Sequence, residues 1–248
     1  MTETDNNVTQ AIEGYIEKVK VREDNSLRNI LLSSFFAGFM IALGAFGSVN
    51  VSAELPLGLA KLISGMVFSS GLIMIILCGT ELFTGNVLTS FHFFQNGFKV
   101  KSFMKLWVLV YFGNLLGCLA VVFLLDNSGL FNAFQDKLNS IAAVKTSLSF
   151  TAAFARGIFC NILVCLAVII ANEAKTVQGK IFGIMVPITL FIASGYEHSI
   201  ANMFFLPAGN VTLSAFLHNI VPVTLGNIFG AFLMAYLLFL TSKIRKDA

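Results

Sequence analysis

The chain has 248 residues, of which 56% are hydrophobic and only 12% are charged. A soluble domain carries about 25% charged residues, so the composition excludes an ordinary water-soluble fold and marks an integral membrane protein. The net charge of +3 comes without any basic run, which gives no reason to invoke nucleic acid as a partner.

The chain opens with the polar stretch MTETDNNVTQAIEGYIEKVK, so no cleavable signal peptide is expected, and residues 1–28 read as an arm. A spanning helix needs about 20 mainly apolar residues. Residues 29–53 carry no charge and form the first candidate span. The second is interrupted at Glu81, which leaves the pieces 62–80 and 82–98. Residues 106–125 are the third, and 146–172 the fourth, with Arg156 as its only formal charge. Residues 181–196 stop at Glu197 and resume at His198, and 222–240 are the last. The reading is an all-α integral membrane protein of six transmembrane helices, the second and fifth broken by a glutamate. The four cysteines (Cys78, Cys118, Cys160, Cys165) lie in apolar stretches and read as free thiols, with no metal or disulfide spacing. No cofactor is implied.

Basic residues orient the spans. Lys18, Lys20, Arg22 and Arg28 precede the first, and Lys99, Lys101 and Lys105 fall between the second and third. Lys175 and Lys180 lie between the fourth and fifth, and Lys243, Arg245 and Lys246 follow the last. The odd connections hold only Lys61, Lys137 and Lys145. Both termini are therefore expected in the cytoplasm, with Lys145 outside.

The two breaks share a pattern. Gly79-Thr-Glu81-Leu-Phe-Thr-Gly-Asn86 and Gly195-Tyr-Glu197-His-Ser-Ile-Ala-Asn202 both read G-x-E-x-x-x-x-N, 116 residues apart. Gly113-Asn-Leu-Leu-Gly117 and Gly226-Asn-Ile-Phe-Gly230 both read G-N-x-x-G, 113 apart. A weaker F-x-x-G pair joins Phe35/Gly38 to Phe154/Gly157, 119 apart. Three matches in one order point to a repeat. Each half has three spans, so the second enters the membrane from the opposite side: an inverted 3+3 repeat within one transmembrane domain, with halves at 29–125 and 146–242 and a tail at 243–248. Paired interruptions in such repeats point to a permeation site, because irregular backbone at membrane depth must be satisfied by protein or by a cavity.

A charge at the bilayer centre costs about 2.5–3.5 kcal/mol on insertion scales. Glu81 and Glu197 hold equivalent places where a helix has lost backbone hydrogen bonds. Each can accept from orphan N–H groups and pin its loop beside a half-helix N-terminus, or the pair can serve as a proton relay or cation ligand. Their symmetry favours the pinning role.

At these residues the sequence resembles the formate/nitrite transporter family. The specific marks are ELFTGN (81–86), RGIFCNILVCLA (156–167), GYEHSIANMFFLP (195–207) and VPVTLGN (221–227), and the resemblance covers nearly the whole chain. It implies an aquaporin-like protomer in a homopentamer, each protomer with its own pore, in the cell membrane. It implies conduction of small monovalent anions or their conjugate acids: formate, nitrite, hydrosulfide, or lactate in some branches. It does not choose among them. Aquaporins themselves are excluded, because none of Pro56, Pro187, Pro207 and Pro222 follows an Asn. The resemblance also assigns residues. The broken-helix loop matches Leu82, Phe83 and Thr84, and the apolar constrictions look like Phe68, Leu72, Leu82, Phe83 and Phe191. The central histidine is similar to His198, the vestibule lysine matches Lys145, and the polar lining matches Asn161 and Asn227.

Apolar rings around a pore penalise a bare ion, and a weak acid evades that penalty by taking a proton. Lys145 and the half-helix N-termini are expected to attract the anion. Protonation is expected in the apolar neck, with His198 as hydrogen-bond partner or relay and neutral at rest. His92 and His218 are expected near an interface, and Arg156 in an ion pair or capping loop carbonyls. Small residues on the first span (Ala37, Gly38, Ala42, Gly44, Ala45, Gly47) suit close helix approach and, with the resemblance, suggest the pentamer. The rival from another class is a cation or proton-coupled transporter using Glu81 and Glu197 as an intramembrane carboxylate site. An intramembrane enzyme is not supported, since the chain has no H-E-x-x-H or G-x-S-x-G motif.

Overall fold

The computed structural model describes residue 14, residues 26–91, residue 94 and residues 100–247. His92 and most of the N-terminal arm lie outside them. Six helices among the described residues are long and apolar enough to cross a membrane. In chain order they are α1 (Leu27–Ser52), α2 (Leu57–Cys78), α4 (Val100–Asn127), α6 (Phe150–Glu173), α7 (Val177–Ser194) and α9 (Leu213–Asp247). Two half-helices, α3 (Phe83–Asn86) and α8 (Ser199–Ala208), follow the breaks, and α5 (Gln135–Thr146) joins the halves.

The packing is two-fold. In the first half α1 packs on α2 and α4; in the second α6 packs on α7 and α9; the halves meet through α2 and α7. Small residues permit this. A side chain at Gly38 would strike the Asn114 backbone, and one at Gly117 the Phe35 carbonyl. In the other half Gly226 lies equally close to the Phe154 carbonyl and Gly230 to that of Ile158. The two sequence repeats are thus one device used twice: the F-x-x-G helix and the G-N-x-x-G helix cross at backbone contact.

The small stripe on α1 is spent inside the protomer. Ala37, Ala42 and Ala45 are fully buried, Gly38 faces α4, and Gly44 lies against the Phe68 carbonyl of α2. It therefore gives no argument for contact between subunits.

Some boundaries differ from the sequence reading. The fourth span begins at Phe150, not 146, because Ser149 caps it by accepting from the Ala152 N–H at 3.2 Å. Lys145 and Arg156 are consequently on different helices. The last helix begins at Leu213 and carries Pro222 inside it, although a proline suggests a start. Neighbouring helices can re-satisfy the carbonyl that a proline frees. The first half-helix is shorter than expected: α3 is α-helical for four residues and continues as a 3-10 turn over Val87–Ser90.

Candidate functional site

The breaks start alike. α2 ends at Gly79 (φ 68°) and α7 at Gly195 (φ 72°), both in the left-handed region that favours glycine. The chain then runs extended to Leu82 and to His198, the residues that precede the two half-helices.

Each half-helix leaves backbone groups without an intrahelical partner, and an asparagine collects them. Asn114 Oδ1 accepts from the Phe83 N–H at 2.9 Å, while its Nδ2 donates to Ser34 O (2.7 Å) and Glu81 O (2.9 Å). Asn227 does the same in the second half. Its Oδ1 accepts from the Ser199 N–H at 2.8 Å, and its Nδ2 donates to Gly157 O (2.9 Å) and Glu197 O (3.0 Å). These are the asparagines of the two G-N-x-x-G motifs. Asn227 is fully buried with its amide committed to backbone groups, so it pins the loop rather than offering polar surface. Asn161, also fully buried, donates to Asn227 O at 2.7 Å, and its Oδ1 has no partner.

The glutamates accept from the asparagine that ends their own motif. Asn86 Nδ2 donates to Glu81 Oε2 at 2.8 Å, and Asn202 Nδ2 to Glu197 Oε2 at 2.6 Å. Glu197 has a cation partner as well. Lys145 Nζ donates to both carboxylate oxygens of Glu197, at 3.0 and 3.1 Å, and lies 5.4 Å from the Phe205 ring centroid. Asn219 ties Lys145 in place by donating to its carbonyl at 2.8 Å. Lys145 is therefore an ion-pair partner and not a free cation. The Arg156 side chain has no ion pair or hydrogen bond among the described residues, contrary to the sequence reading. Only its carbonyl is used, accepting from the Glu197 N–H at 3.3 Å.

Removing one partner of a buried pair strands the other charge, at a cost of about 3–5 kcal/mol. Lys145→Met is thus expected to lower the melting temperature of the purified protein by on the order of 10 °C. Lys145→Met/Glu197→Gln should recover most of the loss. Equal melting of the single and double variants would remove the pair from the account of stability.

His198 joins the halves. Its Nδ1 accepts from the Ala201 N–H at 3.1 Å, capping α8. A neutral imidazole then carries its proton on Nε2 and donates it to Thr84 Oγ1, 2.9 Å away in α3. The Thr84 hydroxyl hydrogen is left free to donate. The Phe191 ring lies 5.9 Å from the imidazole, and Phe68 meets Phe191 edge-on at 5.5 Å. Phe68, Phe191, His198 and Thr84 thus form one buried cluster. Leu72 and Leu82 line a cavity of about 80 Å³ with Asn86 and Lys180. A larger cavity of about 450 Å³ lies toward the opposite face, lined in part by Lys61, Lys137, Lys145, Arg156 and Glu197.

Phe83 is not brought to this group. Successive helical residues point about 100° apart. With Thr84 turned to His198, Phe83 faces α4, where it meets Tyr111 edge-on at 4.8 Å. His218 is exposed and its Nε2 lies 3.1 Å from Leu148 O. Sequence reasoning did not single out Asn86, Asn114 or Asn202. All three lie inside the repeated motifs, so the repeat itself was the available signal.

The model of the formate/nitrite transporter family matches residues 8–241. A probable formate transporter of Methanothermobacter thermautotrophicus is 36% identical over 239 residues, covering 85% of this chain and 87% of its own. The formate channel FocA of Escherichia coli strain K12 is 34% identical over 224 residues, covering 79% of each. A solved pentameric formate channel with formate bound superposes with a TM-score of 0.78 at 29% identity, over 88% of this chain and 98% of that one. These relatives are channels and transporters, not enzymes. With its six spans, paired breaks and matching family model, the chain belongs to the formate/nitrite transporter family as a multi-pass membrane channel protein.

Proposed function

We propose that the chain conducts small monovalent anions of weak acids, of the formate, nitrite or hydrosulfide kind, together with a proton. The observation that carries this is the buried contact of His198 with Thr84 between two cavities. An anion enters the larger cavity, whose four cations outnumber its one carboxylate. Phe68 and Phe191 make the neck costly for a bare ion, so the anion takes a proton at its mouth, directly or through water. In the neck the Thr84 hydroxyl, oriented by His198, donates to the acid's oxygen, and the neutral acid ionises on the far side. The ten residues of α8 place a full helix N-terminus beside this point, while α3 contributes less.

The excess of basic residues in the even connections supports cytoplasmic termini in the cell membrane. The pentameric formate channel among the structural relatives supports a homopentamer. Native mass spectrometry in mild detergent is expected to give a five-fold mass; a stable monomer would count against it. A cation site at Glu81 and Glu197 finds no support, since Lys145 already neutralises Glu197.

The test is stopped-flow swelling of liposomes carrying the protein, with sodium formate, nitrite and hydrosulfide in turn. Rapid swelling with at least one, faster at acid pH, is expected. Swelling no faster than in empty liposomes with all three would sink the reading. Leu82, 4% exposed at the edge of the smaller cavity, sets the size limit. Leu82→Ala should therefore admit lactate several-fold faster than the unmodified chain. An unchanged lactate-to-formate ratio would assign Leu82 to packing alone.

A further inference from the structure

We infer that the 450 Å³ cavity is a binding site for organic monocarboxylates with an apolar tail, the carboxylate resting on Arg156. Arg156 lies on the cavity wall, half-buried, and its guanidinium is engaged by no other described side chain, whereas neighbouring Lys145 is held by Glu197. A guanidinium offers a planar fork that takes a carboxylate through two parallel hydrogen bonds. Lys61 and Lys137 are exposed at the same cavity and add long-range attraction.

The rest of the wall suits a tail. Val49, Ile141, Val144 and Ile192 line it, and the volume falls in the range of about 300–1,000 Å³ typical of sites for drug-sized ligands. A formate-sized ion would leave most of that volume to water, and an inorganic dianion would gain nothing from the apolar wall. Phe191 and His198 are the immediate chain neighbours of Ile192 and Glu197 of the wall. A ligand seated there stands at the mouth of the neck, and one bearing a phenyl ring cannot enter it. Such a carboxylate binds without being transported and plugs the pore.

Binding is tested on the purified full chain in non-ionic detergent by titration calorimetry, with heats into protein-free micelles subtracted. The probes are 4-phenylbutyrate, its uncharged amide and sulfate. The expected result is saturable binding of 4-phenylbutyrate only, about tenfold weaker in Arg156→Gln and unchanged in Lys105→Gln, whose lysine is exposed near the start of α4, away from the cavity lining. Arg156→Lys should retain part of the affinity. Absence of saturable 4-phenylbutyrate binding, equal binding of the amide or of sulfate, or an unchanged affinity in Arg156→Gln would each overturn the inference. Should Arg156→Gln fail to fold, the comparison of acid, amide and sulfate on the unmodified chain still decides it. Inhibition of formate-driven swelling by 4-phenylbutyrate is the second readout and rests on the transport reading. Binding in a protein that passes no anion would sink that reading alone.

Discussion

Asn114→Leu and Asn227→Leu are each expected to yield little monodisperse protein, with the fraction that survives melting far below the unmodified chain. Leucine keeps asparagine's four-atom branched outline but is bulkier, so packing alone predicts an effect of only about 1–3 kcal/mol from crowding. The hydrogen bonds predict a large one. Each asparagine satisfies one backbone N–H and one backbone carbonyl at its break and also donates to a carbonyl of a packed helix, Ser34 O in α1 or Gly157 O in α6. Leaving a buried backbone group unpaired costs about 1–3 kcal/mol, and two such groups at a break, with the bond to the packed helix also lost, take a large share of the roughly 5–15 kcal/mol that holds a native protein together. No water reaches a fully buried site to relieve them. The two variants should behave alike, because the halves are equivalent at this point. Tyr111→Phe, which removes only the bond of 2.7 Å to Thr224 Oγ1, should do little. Melting of either leucine variant within a few degrees of the unmodified protein would show that these bonds are not what holds the breaks.

His198→Asn is expected to assemble normally and to pass formate much more slowly across the acid pH range where the unmodified chain is fastest. Asparagine is a good N-cap residue, so its Oδ1 can still accept from the Ala201 N–H and keep α8 in place. It is too short to reach Thr84 as the imidazole does. The threonine hydroxyl then loses the partner that turns its hydrogen toward the passing acid. Removing one oriented donor costs about 10²–10³-fold where it acts on a reacting group; for a permeating acid the loss at about pH 5 should be at least tenfold. The measurement is flux against pH from about 4 to 8 in liposomes, both proteins side by side, with oligomer integrity checked on each. Superimposable profiles would return His198 to a purely structural role as a cap.

The membrane spans were legible because hydrocarbon demands long uncharged runs, and the inverted repeat because both halves need the same residues at the same crossings. Glycine-to-backbone contact at Gly38 and Gly117 tolerates nothing larger, so the motif survives in both halves where most other positions have diverged. The offset of 116 residues places Leu82 and His198 at equivalent positions, each preceding its half-helix. What the sequence hid was pairing. Lys145 and Glu197 are 52 residues apart, on elements with no periodic relation, so nothing local announces their ion pair. Helix α5 was missed because it is too short and too polar to span, which left its last turn assigned to the following apolar run. The direction of Phe83 depends on where the helix starts, and one residue of uncertainty there turns a side chain by about 100°.

The pinning of both breaks has a consequence for how quickly anything can pass. A carrier that alternates must break and remake contacts between its repeats in every cycle, and its turnover inherits the barrier of that motion. Here each broken segment is tied by two hydrogen bonds to one asparagine, which a third bond ties to a packed helix, and α2 meets α7 at Gly65, where an added methyl would stand 2.8 Å from Thr189 Cα. The asparagine bonds keep each half rigid, and sliding the halves past each other would strain the Gly65 seam and the contact of His198 with Thr84. On the proposed mechanism the aperture stays fixed, and what changes during passage is the charge on the traveller. Throughput then follows the supply of conjugate acid at the mouth, roughly doubling whenever that supply doubles, with the shallow temperature coefficient of diffusion instead of the steep one of a machine.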